Sequence, residues 1–121
     1  MAEQYVQRAS AGLILAEATS VDPMGVGYVG TPGIWNQDHV AGWKHVTDEV
    51  HKAGGRIALQ LWHVGRISEP LVLDGRDPVS SSAIACPGFI SHQRPKREFP
   101  VPRALETHEL PGVVAQYRRA A

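Results

Sequence analysis

Hydrophobic and polar positions alternate between two short apolar runs and one amphipathic stretch. Residues 11–18, AGLILAEA, are almost unbroken apolar and end in the polar, turn-forming Thr19-Ser20-Val21-Asp22-Pro23. That pattern predicts a strand over 11–18 buried on both faces. Residues 24–35, MGVGYVGTPGIW, carry four glycines, a proline and two aromatics. They are too flexible for a regular element and too aromatic for a passive linker, so they read as a loop that contacts something. Asn36 supplies an N-cap, and Val40, Trp43, Val46 and Val50 recur at helical spacing up to a Gly54-Gly55 stop, which predicts an amphipathic helix over 37–53. Directly after it, residues 56–63, RIALQLWH, are short and rich in strand formers. The order strand, loop, helix, strand defines a βαβ unit with parallel strands and a right-handed crossover. Its ligand-contacting loops lie beyond the carboxyl ends of the strands, after Ala18 and after Gln60.

From Val64 onward the periodicity is lost among Gly65, Pro70, Asp74-Gly75, Pro78, Pro87-Gly88 and the run QRPKREFPVPR, which predicts a long excursion with room for a short hairpin. A second helical pattern opens at Glu106-Thr107-His108-Glu109, with Thr107 as its N-cap, Pro111 near its first turn and Val113, Val114 and Tyr117 as its apolar side. Glu3 to Ala9 reads as the end of a helix leading into the first strand. There is no internal repeat and no low-complexity tract.

Length and composition narrow the picture. A chain of 121 residues fits one domain, here 1–121, and 12 basic against 12 acidic residues leave no electrostatic footprint for nucleic acid or an anionic membrane. The 12 glycines and 9 prolines require many turns. A single cysteine, Cys86, excludes an intrachain disulfide and an all-cysteine metal cluster. The start lacks the features of a secretory signal, and no apolar run approaches the ~18 residues that span a bilayer, so a cytoplasmic location and no membrane partner are expected.

The chemistry-bearing residues give few sharp signals. His39, His45 and His51 fall six apart on the predicted helix, and six steps of about 100° turn by roughly 240°, so they do not share a face; no metal site is expected. His63 follows a buried strand and reads either as a hydrogen-bonded structural residue or as a reactive one. Cys86 lacks the surroundings of a nucleophile and reads as an inert loop residue. No Walker-type loop, strand-linked GxGxxG or GxSxG elbow is present, and GVGYVG at 25–30 runs into Thr31-Pro32-Gly33 instead of a helix start. Gln60 is the unusual residue. An amide inside an apolar strand costs stability unless its donor and acceptor are satisfied, so it either closes a backbone bond or faces a ligand, and a carboxamide matches the donor and acceptor edge of a pyrimidine-like ring.

Three blocks, QRASAGLILAEATSVDPMGVGYVGTPGIW, GGRIALQLWHVGRIS and VPRALETHELPGVVAQYRRAA, cover nearly the whole chain. Together they resemble the Old Yellow Enzyme family of FMN-dependent ene-reductases, in particular its bacterial N-ethylmaleimide reductase and xenobiotic reductase members. The QLWHVGR stretch with PRALE downstream is the most specific part of the match. The resemblance implies an α/β fold, a partial TIM (β/α)8 barrel containing about strands 2 and 3, helix 2, the long loop after strand 3 and the start of helix 3. This is about a third of a family chain, whose barrels run to ~250–400 residues.

By the same resemblance Ala18 lies against the flavin ring and Gln60 bonds its pyrimidine edge, while Tyr28 and Trp62 contact substrate and His63 supports the loop. Glu69 stands where relatives usually carry a histidine, which affects loop conformation more than flavin contact. The family moves a hydride from NADPH or NADH through FMN to an activated alkene or nitro compound. Its histidine pair and proton-donating tyrosine belong to later strands, so no catalytic residue is assigned within 1–121. The beginning, Met1-Ala2-Glu3, resembles an internal segment of relatives, so an N-terminal fragment of an FMN-dependent oxidoreductase is expected, inactive on its own. The alternative is a non-catalytic barrel fragment that only self-associates or complements another chain through its unpaired strand edges. A flavin absorbance would separate the two.

Overall fold

The capping signal at Asn36 sets the central helix. In the computed structural model, which describes residues 1–91 and 93–121, helix α2 runs Gln37–Lys52, and the Asn36 side-chain oxygen accepts from the His39 N–H at 2.9 Å. Gly54 at φ 79° ends it in the left-handed turn that favours glycine. The face of α2 that carries Trp43, Val46 and Val50 is buried against a two-stranded parallel sheet of β1 (Ile14–Ser20) and β2 (Ile57–Trp62). A short N-terminal helix α1 (Ala2–Val6) adds Tyr5, and Ile14, Ala16, Val21 and Ile34 complete the core, with Ile57, Leu59 and Leu61 packed against it. The predicted βαβ order and parallel pairing are both present.

The strand positions differ from the prediction in two ways. β1 starts later than residue 11, because the Ala11 N–H is held by the Arg8 carbonyl at 2.9 Å in the turn that closes α1. It continues past Ala18 because Ser20 is bracketed by the returning loop: its N–H donates to the Pro32 carbonyl and its carbonyl accepts from Ile34, each at 2.9 Å. Both strands therefore reach two residues beyond Ala18 and Gln60. Nor is β1 buried on both faces. Ile14 and Ala16 are buried, whereas Leu15 between them is 62% exposed, because helices cover only one face of the sheet. The open face explains a solvent-accessible surface of 7594 Å², where a closed 13.1 kDa chain would show about 6400 Å².

The excursion after β2 is organised around two strands of two residues each, β3 (Val79–Ser80) and β4 (Arg103–Ala104), paired in parallel. Between them lies the expected hairpin, an antiparallel bridge of Phe89 with Glu98 in which the Ile90 N–H donates to the Arg97 carbonyl at 2.8 Å. Leu73, Pro78, Ile90 and Pro102 are buried within the excursion.

Helix α3 (Leu110–Ala120) follows a 3-10 turn, Thr107–Glu109, whose N-cap is Glu106 and not Thr107. The Glu106 N–H donates to Glu109 Oε2 at 2.8 Å, and Arg103 grips both Glu109 carboxylate oxygens, each at 2.8 Å. The guanidinium, helped by that N–H, holds the Glu109 carboxyl down at about 2, so the pair stays ionised at neutral pH. The predicted apolar side of α3 is only partly used, since Val114 and Tyr117 are exposed.

Candidate functional site

The carboxyl ends of β1 and β2 carry the predicted residues on one surface. Ala18 and Gln60 are register partners, and two rungs further Ser20 pairs with Trp62. Partners in a parallel ladder share a face, and residues two apart on an unbroken strand share it too. Gln60 and Trp62 therefore line the face opposite the helices, and the register shift between Leu15 and Ala18 turns Ala18 onto it, away from the face of Ile14 and Ala16. Gln60 is exposed there, and its carboxamide makes no hydrogen bond among the described residues. It does not close a backbone bond, which leaves its donor and acceptor available to a ligand. In this chain the desolvation cost expected of a buried amide does not arise, because the face is open. Tyr28 reaches the same end of the sheet from the loop after β1 and stacks on Trp62, with ring centroids 5.7 Å apart and planes 19° from parallel. All four predicted site residues thus fall into two neighbouring pairs.

Backbone closure between the two loops places that stack. The Val21 N–H donates to the Trp62 carbonyl at 3.0 Å, the Val64 N–H to the Gly25 carbonyl at 3.2 Å, and the Ser68 hydroxyl to the Val26 carbonyl at 2.6 Å. Ser20 adds a hydroxyl bond to the Gly25 carbonyl at 3.2 Å. These serines and the glycines beside them position the site, although residue-type reasoning did not single them out. The signal available was the Gly25-x-Gly27 spacing, whose physical role is close approach and not phosphate binding. At Gly27 a Cβ would collide with the Ile67 carbonyl oxygen and come within 2.8 Å of Val64 Cγ2. Gly27→Ala is therefore expected to unseat the loop that carries Tyr28, at a cost of about 1–3 kcal/mol. Urea unfolding reads the cost, and loss of the Tyr28 ring-current shift on the Trp62 indole proton reads the displacement.

His63, next to Trp62, is structural in its contacts: its Nδ1 accepts from the Gly65 N–H at 3.0 Å. Burial pushes its imidazole below the usual histidine range, and the Asp22 carboxylate only partly opposes this. Glu69 is buried and accepts from the Gln93 amide at 3.0 Å, which ties it into the excursion. Cys86 is a free, half-buried thiol. No group of three histidine, cysteine or acidic side chains among the described residues could hold a metal ion. Cavities among the described residues include one of about 550 Å³ touching His63, Arg103 and Gln116, one of about 600 Å³ touching Trp35, His39 and Trp43, and one of about 530 Å³ against α3 at Leu110 and Val114. None of these three includes the four site residues, which form an open wall.

A parallel βα unit backed by helices on one face, with its loops gathered at the carboxyl ends of the strands, is the repeating unit of an α/β barrel. The chain belongs to the NADH:flavin oxidoreductase / NADH oxidase family, whose pattern it matches over residues 1–121. It is 40% identical to 12-oxophytodienoate reductase 2 of Arabidopsis thaliana over 124 aligned positions, covering 97% of this chain and 32% of that protein. It is 41% identical to the flavin oxidoreductase hxnT of Emericella nidulans, covering 98% of this chain and 31% of that protein.

Among solved structures, morphinone reductase in complex with tetrahydroNAD superposes with a TM-score of 0.88 at 53% identity, over 96% of this chain and 34% of the other. The old yellow enzyme homologue from Zymomonas mobilis gives 0.92 at 44%, over 99% and 34%. The chain spans about a third of the length of the relatives it matches. These neighbours are TIM barrels, so the observed elements form part of such a barrel, and the open face of the sheet corresponds to its interior. Family membership brings FMN as cofactor. No helix among the described residues is long and apolar enough to cross a membrane.

The residues present fit FMN. A flat ring system needs a small side chain to lie against and a donor and acceptor pair at its pyrimidine edge, and Ala18 and the uncommitted Gln60 carboxamide supply these on one rung of the sheet.

Proposed function

We propose that residues 1–121 are one wall of the FMN site of an NAD(P)H-dependent ene-reductase, a part of the barrel domain that the remaining strands complete. The observation that carries this reading is the pairing of Ala18 with an exposed, unbonded Gln60 two residues before the Trp62 on which Tyr28 stacks. Bound there, FMN would supply hydride transfer between NADH or NADPH and an activated alkene or a nitro compound. The residues of this chain bind and orient. Ala18 leaves room for the ring, Gln60 holds its polar edge, and Trp62 with Tyr28 supplies a flat apolar surface that favours planar, conjugated substrates and keeps water off one side of them. The groups that clamp the substrate oxygen and donate its proton come, on this reading, from strands outside this chain.

The test is a barrel completed by joining residues 1–121 to the remaining two thirds of morphinone reductase. NAD(P)H oxidation is followed with 2-cyclohexenone as the acceptor. Acceptor-dependent turnover is expected, with Tyr28→Ala raising KM for the enone severalfold while leaving flavin content intact. A folded, flavin-loaded barrel in which Tyr28→Ala changes nothing would remove Tyr28 from the substrate surface.

A further inference from the structure

We propose that His63 is a positioning residue: its neutral imidazole latches the loop after β1 to the turn after β2, so that its protonation releases the Tyr28–Trp62 wall. The side chain is held from both sides. Its Nδ1 accepts from the Gly65 N–H at 3.0 Å, and Gly65 sits at φ 59°, a left-handed position that fixes where that N–H points. On the other side its ring lies against Gly25 so closely that a Cβ there would meet Cδ2 at 3.2 Å and Cα at 3.3 Å. Gly25 in turn offers its carbonyl to the Val64 N–H, and Val21 donates to the Trp62 carbonyl. The imidazole is therefore packed into the seam whose closure brings Tyr28 over Trp62.

The chemistry of the ring makes the latch sensitive to protonation. With Nδ1 accepting, the single proton of the neutral ring is on Nε2, and a second proton has only Nδ1 to occupy. Protonation replaces an acceptor by a donor that faces another donor, the Gly65 N–H, and the bond is lost. The charged group that acts on the ring is Asp22, from the segment after β1, while Arg76 and Asp77 from the excursion, Arg103 from β4 and Glu109 from the 3-10 turn before α3 line the same cavity as His63. The Asp22 carboxylate does not offset the burial that disfavours the cation, so the imidazole takes its proton below 6.5. The sign follows. The released form binds a proton at the ordinary value and the latched form only at lower pH, so the latch is at full strength above 6.5 and weakens as pH falls through the latched-state value.

The meaning for turnover rests on the function proposed above, whereas the test reads the loops themselves and fails or succeeds independently of flavin binding. It follows the 121-residue chain by NMR between pH 7.5 and 4.5, at the His63 Cε1 carbon, the Gly65 amide and the Trp62 indole N–H. The three are expected to titrate with one midpoint below 6.5, with exchange of the Gly65 amide at least tenfold faster at the acid end than its intrinsic pH dependence allows. In His63→Asn the side-chain oxygen replaces Nδ1 as an acceptor that does not titrate, so the acid step at Gly65 and Trp62 disappears while the stack is kept. Different midpoints for the three probes in the wild-type chain would overturn the latch, and so would an unchanged acid step in His63→Asn. Should His63→Asn not fold, the wild-type midpoints decide alone.

Discussion

Trp43→Ala is expected to lower the stability of the chain by about 3–5 kcal/mol, the range for truncating a buried tryptophan. Trp43 is 6% exposed at the centre of the core, its ring lies 6.3 Å from that of Tyr5, and its indole N–H donates to the Gly33 carbonyl at 3.2 Å. That bond ties the core to the site. Gly33 bridges to Ser20, so it fixes the returning end of the loop that carries Tyr28. A domain of this size has about 5–15 kcal/mol in hand, and a sheet covered on one face lies at the lower end. Trp43→Ala should therefore populate unfolded chain without denaturant, while Trp43→Phe, which keeps most of the apolar volume, should cost less than half as much. Urea unfolding followed by far-UV circular dichroism measures both. A midpoint for Trp43→Ala within error of the wild-type value would mean that the α2 face does not hold the sheet.

Gln60→Ala is expected to weaken FMN binding by about 1–3 kcal/mol, roughly 5- to 150-fold, because it removes both partners offered to the polar edge of the ring. Fold stability should not change, since the carboxamide is exposed and bonds to nothing described in the chain. The contrast separates this site from the core: Trp43→Ala moves stability first, Gln60→Ala moves affinity alone. Fluorescence titration of FMN into the apo form of the completed barrel measures the affinity. Equal flavin affinity in the two proteins would remove Gln60 from the site.

The parts of the molecule that were legible in the sequence are those fixed by local chemistry. Helix α2 is read to within a residue because Asn36 caps it and Gly54 ends it, and both signals act within a turn. The ends of β1 are not local. Its start depends on a turn from Arg8, and its extension to Ser20 on pairing with Gly33, neither of which an apolar run encodes. β3 and β4 are two residues each and find one another across the whole excursion, so no periodicity announces them. At the helix after the excursion, Thr107 has the better capping side chain in isolation, but Arg103 draws Glu109 into a bond with the Glu106 backbone and moves the cap by one residue.

The site divides in the same way. Gln60 could be singled out from its strand alone, because an amide among apolar neighbours needs a reason. Tyr28 and Trp62, 34 positions apart, could be joined only by the resemblance to a family. Their stacking depends on Gly25, Gly27 and Ser68, whose contribution is backbone proximity and carries no chemical mark in the sequence.

The central claim is that residues 1–121 supply a working flavin wall. The most direct test is the flavin content of the completed barrel, with the morphinone reductase segment that this chain matches replaced by residues 1–121. The account predicts a folded, yellow protein that retains one FMN per chain through gel filtration. A folded but colourless barrel that takes up no FMN on titration would contradict it.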